Sequence, residues 1–290
     1  QKFFIKSKVK VNSRTLKKFN LKDGTYIRYE KKGIGPTLIL LHTFRNRLEY
    51  SDLLIPQLEK SFTVFTIDLP GFGESPINNK TEYDQSFFTN TIVEFIHELD
   101  LDKVTIAGES IGGVLPLTVA YQLPKKIKKI YCFNPYDYDG KFAEGIRRGN
   151  FFANFILFNV GIPILGRLFA SLENRFILKN VLKGGFVDYS KLSTDYLNLL
   201  ISSTKKKGYV YHFRNVLANF KTWNDCKEIY DSLTQPISLI YGESDWSSKK
   251  EREDSQKRLK LDSYITLKNC GHFSFLEKLL EVSKIILENR

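Results

Sequence analysis

Three residue types that together can cleave an acyl bond stand in this chain in the order serine, aspartate, histidine, each after a short apolar run. Ser110 is the middle of Gly108-Glu109-Ser110-Ile111-Gly112, which follows Val104-Thr105-Ile106-Ala107 and precedes an apolar, helix-compatible run from Gly113 to Tyr121. Strand, G-x-S-x-G, helix is the setting of a nucleophile elbow. So tight a turn strains the serine, and flanking glycines let strand and helix approach without Cβ clashes. Asp245 closes Tyr241-Gly242-Glu243-Ser244-Asp245, after Ile237-Ser238-Leu239-Ile240. His272 lies in Asn269-Cys270-Gly271-His272-Phe273, after Tyr264-Ile265-Thr266-Leu267. A serine hydroxyl is a weak nucleophile at neutral pH and needs a base to take its proton. Imidazole serves once a carboxylate fixes its tautomer and stabilises the imidazolium. Each residue also has a plain structural use: a helix cap for Ser110, a helix start for His272, a surface turn for Asp245. Asp137 and Asp139, after Ile130-Tyr131-Cys132-Phe133, offer a rival place for the acid. The reading favours Asp245.

Two upstream segments extend the pattern, Leu40-Leu41-His42-Thr43-Phe44 and Asp68-Leu69-Pro70-Gly71-Phe72-Gly73-Glu74-Ser75. With them the chain resembles the α/β-hydrolase superfamily from about Gly24 to its end, and the order Ser, Asp, His is that superfamily's order. The resemblance implies an oxyanion hole of two backbone amides. One belongs to Ile111, after the nucleophile, and the other to Phe44, on the loop after residues 37–41. Relatives usually carry His-Gly-x-Pro-Gly in that loop. Here Thr43 and Arg45 replace the glycine and the proline. Arg45 and Arg47 could grip a carboxylate or phosphate of a substrate, or pair with local acids such as Glu49 and Asp52. Haloalkane dehalogenases and the similar epoxide hydrolases use an aspartate where Ser110 stands, so the serine argues against both.

These residues need a scaffold that gathers loops at one edge. Apolar, β-branched runs at 37–41, 62–67, 104–107, 129–133, 237–241 and 263–267 read as strands buried on both faces of a parallel sheet. Helix-like segments at about 49–59, 86–99, 113–123, 248–260 and 274–288 alternate with them. The alternation predicts an α/β fold, a doubly wound, mostly parallel sheet with helices on both faces. Lys8–Val11, Leu16–Phe19 and Tyr26–Tyr29 alternate polar and apolar residues and read as antiparallel edge strands. The rhythm breaks between Pro135 and Thr234. The reading is a hydrolase core of residues 1–136 and 233–290, with a helical cap at 137–232 inserted over the site. In that cap Phe151, Phe152, Phe155, Ile156, Phe158 and Ile162 recur at roughly helical spacing. They either glue cap to core or line an apolar tunnel. Phe155 and Phe158 join His42 and Arg45 as candidate substrate-binding residues.

Composition bounds the rest. The 290 residues suit one hydrolase domain with an insertion. The net charge of +12 is concentrated in residues 1–32, at +9, and in the insertion, at +5. Attraction to an anionic membrane surface is one reading, and a lysine-rich solvated surface is another. No nucleic-acid recognition motif accompanies the charge. Cys132, Cys226 and Cys270 are far apart and odd in number, which is not a disulfide framework. No metal-ligand spacing appears, and the chemistry calls for neither metal nor cofactor. No signal-peptide pattern is visible, and the most apolar stretch, 151–172, meets Arg167 too early for a spanning helix of about 20 residues. The expectation is a cytoplasmic protein, with peripheral membrane contact as the variant reading. The sequence leaves oligomeric state open.

Together these point to a serine hydrolase that cleaves a carboxylic ester with an apolar acyl part through an acyl-enzyme. Carbon–carbon bond hydrolase, thioesterase and lactonase chemistry fit the same three residues. A non-catalytic binding protein on the same fold is the alternative of a different kind.

Overall fold

The computed structural model describes residues 14–138, 151–162 and 165–288. Lys8–Val11 and Asp139 therefore lie outside the described residues. Eight strands form one sheet in the order β1-β2-β4-β3-β5-β6-β7-β8. They are β1 Leu16–Asn20, β2 Tyr26–Lys32, β3 Thr37–Leu41, β4 Thr63–Ile67, β5 Val104–Glu109, β6 Ile127–Phe133, β7 Ile237–Gly242 and β8 Ile265–Leu267. β1, β2 and β4 pair antiparallel; every other pairing is parallel. This is the doubly wound sheet the apolar runs predict, with its antiparallel edge at the N-terminal side.

Both faces of the sheet are covered, which explains the unbroken apolar strands. Along β3, Leu38 and Leu40 enter one core cluster while Ile39 and Leu41 enter the other. Alternate residues point to opposite faces, so a strand with helices on both sides has no position left for a polar residue. α1 Ile55–Leu58, α2 Gln85–Glu98 and α3 Ile111–Gln122 follow β3, β4 and β5. α2 is capped by Asp84, whose carboxylate accepts from the Phe87 amide at 2.7 Å.

Between β6 and β7 the described chain is helical: α4 Phe151–Asn159, α5 Leu165–Ser171, α6 Arg175–Lys183, α7 Thr194–Thr204, α8 Tyr209–Ala218 and α9 Phe220–Asp225. A 3-10 segment, Cys226–Ser232, returns the chain to the sheet. α10 Lys249–Arg258 separates β7 from β8, and α11 Ser274–Glu277 with α12 Leu279–Glu288 closes the fold. Where the sequence suggests one C-terminal helix, the backbone leaves helical geometry at Lys278, with φ −128° and ψ 44°.

Polar pins dock the inserted helices onto the loop after β4. His212 bonds the Pro70 carbonyl at 3.1 Å, Lys206 donates to the Gly71 carbonyl at 3.0 Å, and the Tyr211 hydroxyl donates to the Thr81 carbonyl at 2.9 Å. The loop itself turns about Asp68. Its carboxylate accepts from the Arg28 guanidinium and from the amides of Leu48 and Glu74, at 2.5, 2.7 and 2.7 Å.

Candidate active site

Ser110 sits between β5 and α3 with φ 60° and ψ −120°, the strained turn expected of an elbow. The glycines around it are obligatory. A Cβ on Gly108 would stand 1.9 Å from the Gly112 carbonyl oxygen, and one on Gly112 would stand 2.5 Å from the His42 carbonyl oxygen. The Ser110 amide donates to the Phe133 carbonyl at 3.0 Å, so its own backbone is tied to β6.

Asp245 and His272 come together from the ends of β7 and β8. His272 Nδ1 lies 2.5 Å from Asp245 Oδ1, and both side chains are fully buried. The other carboxylate oxygen accepts from the Ser247 amide at 2.9 Å and from the Ser247 hydroxyl. Burial alone would raise the Asp245 carboxyl. The charge and hydrogen bond of His272, together with Ser247, outweigh it and hold the group below its ordinary value. His272 Nε2 is buried and has no hydrogen-bond partner, Ser110 included. Trp246 stacks on the imidazole with centroids 4.0 Å apart, and its indole N–H donates to the Gly184 carbonyl at 3.1 Å. The rival Asp137 is engaged elsewhere. It accepts from the Tyr230 and Ser255 hydroxyls at 3.0 and 2.7 Å, and burial lifts its carboxyl to about 6.

Ser110, Ile111, Phe44, Thr43 and Arg45 lie on the wall of one cavity of about 630 Å³, its open mouth included. Leu157 of α4, Val181 and Leu182 of α6, Val216 and Leu217 of α8, and Trp246 belong to the apolar part of that wall, with Tyr136, Trp223 and Phe273 beside them. Neither the Ile111 nor the Phe44 amide is spent on a turn or loop hydrogen bond. The Phe44 ring is fixed by stacking on Phe213 and by an edge contact with Phe72, both at 5.8 Å.

Arg45 adopts the left-handed conformation, φ 61°, where relatives place proline. Its guanidinium is nearly buried, lies 5.0 Å from the Phe213 ring centre and pairs with Glu173, which also accepts from the Tyr209 hydroxyl at 2.6 Å. Arg45 therefore lines the cavity but is already matched by an acid from the helical insertion. Arg47 pairs with Glu49 at 2.6 Å and Glu74 at 3.0 Å.

Three candidate substrate contacts lie off the wall of this cavity. His42 is off the cavity wall and has both ring nitrogens engaged, Nδ1 with the Thr43 carbonyl at 2.7 Å and Nε2 with the Leu69 amide at 3.0 Å. Burial depresses it to about 4, so it is a neutral pin between two loops. Phe155 is half exposed and Phe158 packs against the core; neither borders the cavity. Their neighbour Leu157 does, because a one-residue step turns a helical side chain by about a quarter of a turn.

Glu109, Gly185 and Trp246 also support the site, and no sequence pattern marks them for that role. Glu109 is fully buried without a cation, and burial lifts it to about 7 against the pull of His272 and its hydrogen bonds. It accepts from the Tyr50 and Ser274 hydroxyls, the Ser274 amide and Asn134, and so joins the elbow to the loop that carries His272. Gly185 receives the His272 amide at 2.7 Å, and a Cβ there would enter the Phe273 and Trp246 rings. Gly184-Gly185 reads in sequence as a helix break; its further meaning lies in a contact made almost 90 residues away.

Residues 36–279 match the family model described as alpha/beta hydrolase fold. The bifunctional epoxide hydrolase 2 of Mus musculus is 24% identical over 92% of this chain and 54% of its own length. The abhydrolase domain-containing protein abhd-5.2 of Caenorhabditis elegans is 25% identical over 72% of this chain and 48% of its own. The chain thus spans about half the length of these curated relatives. Among solved structures, the epoxide hydrolase CorEH superposes with a TM-score of 0.81 at 21% identity, over 94% of this chain and 97% of the other. A meta-cleavage product hydrolase from Pseudomonas fluorescens IP01 gives 0.76 at 17% identity, over 94% and 96%.

Proposed function

This chain belongs to the alpha/beta hydrolase fold family, and from that premise we propose that it is a serine hydrolase of carboxylic esters with an apolar acyl part. The observation that carries the proposal is Ser110, strained at its turn on the wall of an apolar cavity, together with a buried Asp245–His272 pair whose Nε2 has no partner. In this reading Ser110 attacks the ester carbonyl and His272 Nε2 takes its proton. The amides of Ile111 and Phe44 hold the oxyanion. His272 then protonates the departing alcohol, and water activated by the same nitrogen releases the acid. Asp245 steadies the imidazolium throughout. The described helices between β6 and β7 act as the cap that shapes the acyl site.

Relatives named as epoxide hydrolases raise a competing chemistry, and the nucleophile's type argues against it. A serine that opened an epoxide would be left as an alkyl ether, with no carbonyl for water to attack. A serine that takes an acyl group is left as an ester, which water can cleave. Labelling with a fluorophosphonate probe tests the proposal, since an activated serine is required. Wild type should label stoichiometrically and Ser110→Ala not at all. A wild-type chain that stays unlabelled would return the protein to the non-catalytic reading.

A further inference from the structure

α5 is built inside out. Its small residues Gly166 and Ala170 are buried, while Leu165, Leu168 and the following Leu172 are exposed. The inward side has no room for more, because a Cβ on Gly166 would stand 2.0 Å from the Val160 carbonyl oxygen. The neighbouring helices of the insertion continue the outward face. Phe151 is 85% exposed, Leu168 61% and Phe176 58%. An isolated exposed leucine is ordinary, but large apolar side chains in succession along three adjoining helices are not.

The exposed charges on the same segment have one sign. Residues 151–183 contain Arg167, Arg175, Lys179 and Lys183, all exposed, and one acid, Glu173, which is buried against Arg45. Apolar side chains interspersed with cations, on helices too short to cross a bilayer, are the chemistry of an interfacial surface. The inner faces of α4 and α6 supply Leu157, Val181 and Leu182 to the cavity that holds Ser110.

We propose that the outer face of α4, α5 and α6 docks on an anionic lipid surface, so that two helices present one side to the membrane and the other to the acyl site. The headgroups meet Arg167, Arg175, Lys179 and Lys183, and Phe151, Leu165, Leu168 and Phe176 enter the upper acyl region. The inference deepens the acyl-hydrolase reading by naming where an apolar substrate is met. Its test needs no turnover, so the two can fail separately.

Sedimentation with vesicles provides that test. Wild type should partition onto phosphatidylcholine vesicles containing phosphatidylserine and more weakly onto phosphatidylcholine alone. The triple substitution Phe151→Ser, Leu168→Ser, Phe176→Ser should lower partitioning about tenfold or more on both. Lys179→Glu with Lys183→Glu should abolish the preference for the anionic vesicles. Circular dichroism and fluorophosphonate labelling in solution should be unchanged in these variants. Should the triple variant fail to fold, Leu168→Cys carrying an environment-sensitive fluorophore replaces it, the native cysteines being buried. Its emission should shift to the blue on anionic vesicles, while a label at Lys128→Cys, on β6, should not respond. Absence of binding by wild type, equal binding by the triple variant, or a concentration-dependent dimer that the triple variant loses would overturn the proposal, the last in favour of a second copy of the chain as occupant.

Discussion

The sheet edge that carries Ser110 and the helices that lie over it handle polarity in opposite ways. At the edge, polar groups are fully buried and nearly all engaged. Asp245 binds His272 and Ser247, Glu109 accepts four hydrogen bonds, and His42 uses both ring nitrogens. Over the site, α4 and α6 offer Leu157, Val181 and Leu182, and their contacts are apolar and non-directional. A site of the first kind is intolerant of small displacement, because each buried polar group left unmatched costs about 1–3 kcal/mol. A wall of the second kind can change volume and keep its character. The edge is suited to chemistry common to many substrates, and the helices to choosing among them. Arg45 with Glu173 is an exception, a charged link from the loop after β3 to the helices between β6 and β7.

The largest effect should come from the edge. Ser110→Ala should lower kcat for an activated ester by about a thousandfold or more at every acyl length, with the fold intact. Retention of more than about a tenth of wild-type kcat, a loss below about 1.4 kcal/mol, would remove Ser110 from the mechanism. Next, Asp245→Asn should cost orders of magnitude, whereas Asp137→Asn should leave the rate within about a few-fold and act on stability instead. Comparable kinetic losses in the two variants would mean that the observed His272–Asp245 pair is not the one that works.

The same contrast explains what could be read from the sequence. Strand ends and the elbow are local: Gly108, Ser110 and Gly112 are fixed by a turn that only such residues can make, so their meaning is legible within five positions. The apolar strands are legible because burial on both faces removes alternation. The helical wall is not local. Whether Phe155, Phe158 or Leu157 faces the cavity depends on the rotation of α4 about its axis. That rotation is set by packing against α5 and α6, and all three residues are apolar. Glu109 and Gly185 are hidden for a related reason, since their partners Ser274 and His272 arrive from distant loops.

Acid should weaken the joint between the two regions. His42 on the edge is depressed to about 4 and His212 on α8 to about 3, both by burial. Each lies below the ordinary histidine value, so the stability it carries is complete above about pH 6.5 and is lost as pH falls toward the folded value. For His42 the full loss is of the order of 3 kcal/mol. Glu109 and Asp137, lifted by burial to about 7 and about 6, gain stability over the same fall in pH and oppose this loss. The histidine share is therefore read against His212→Gln, which can still donate to the Pro70 carbonyl and cannot take a proton there. Between pH 7 and 4.5 the urea midpoint of wild type should fall relative to that of the variant, and a constant difference between the two would place the acid sensitivity elsewhere.

The smallest effect per group, and the one that most sharpens the contrast, concerns acyl length. A cavity walled by Leu157, Val181, Leu182, Val216 and Leu217 should favour medium or long acyl groups over acetate. Each methylene buried in the transition state can add about 0.8 kcal/mol, roughly fourfold in kcat/KM. Leu157→Ala opens space beside the chain and should move the optimum toward longer or bulkier acyl groups, with Ser110 labelling by a fluorophosphonate unaffected. Phe155→Ala and Phe158→Ala lie off the wall and should leave the length profile alone, changing stability at most. If either of them shifted the profile and Leu157→Ala did not, α4 would present a different side to the substrate than the one observed. If wild type showed no length preference at all, selectivity would have to come from the edge rather than the helices. Arg45, the cation on that wall, would then become the residue to test with anionic esters.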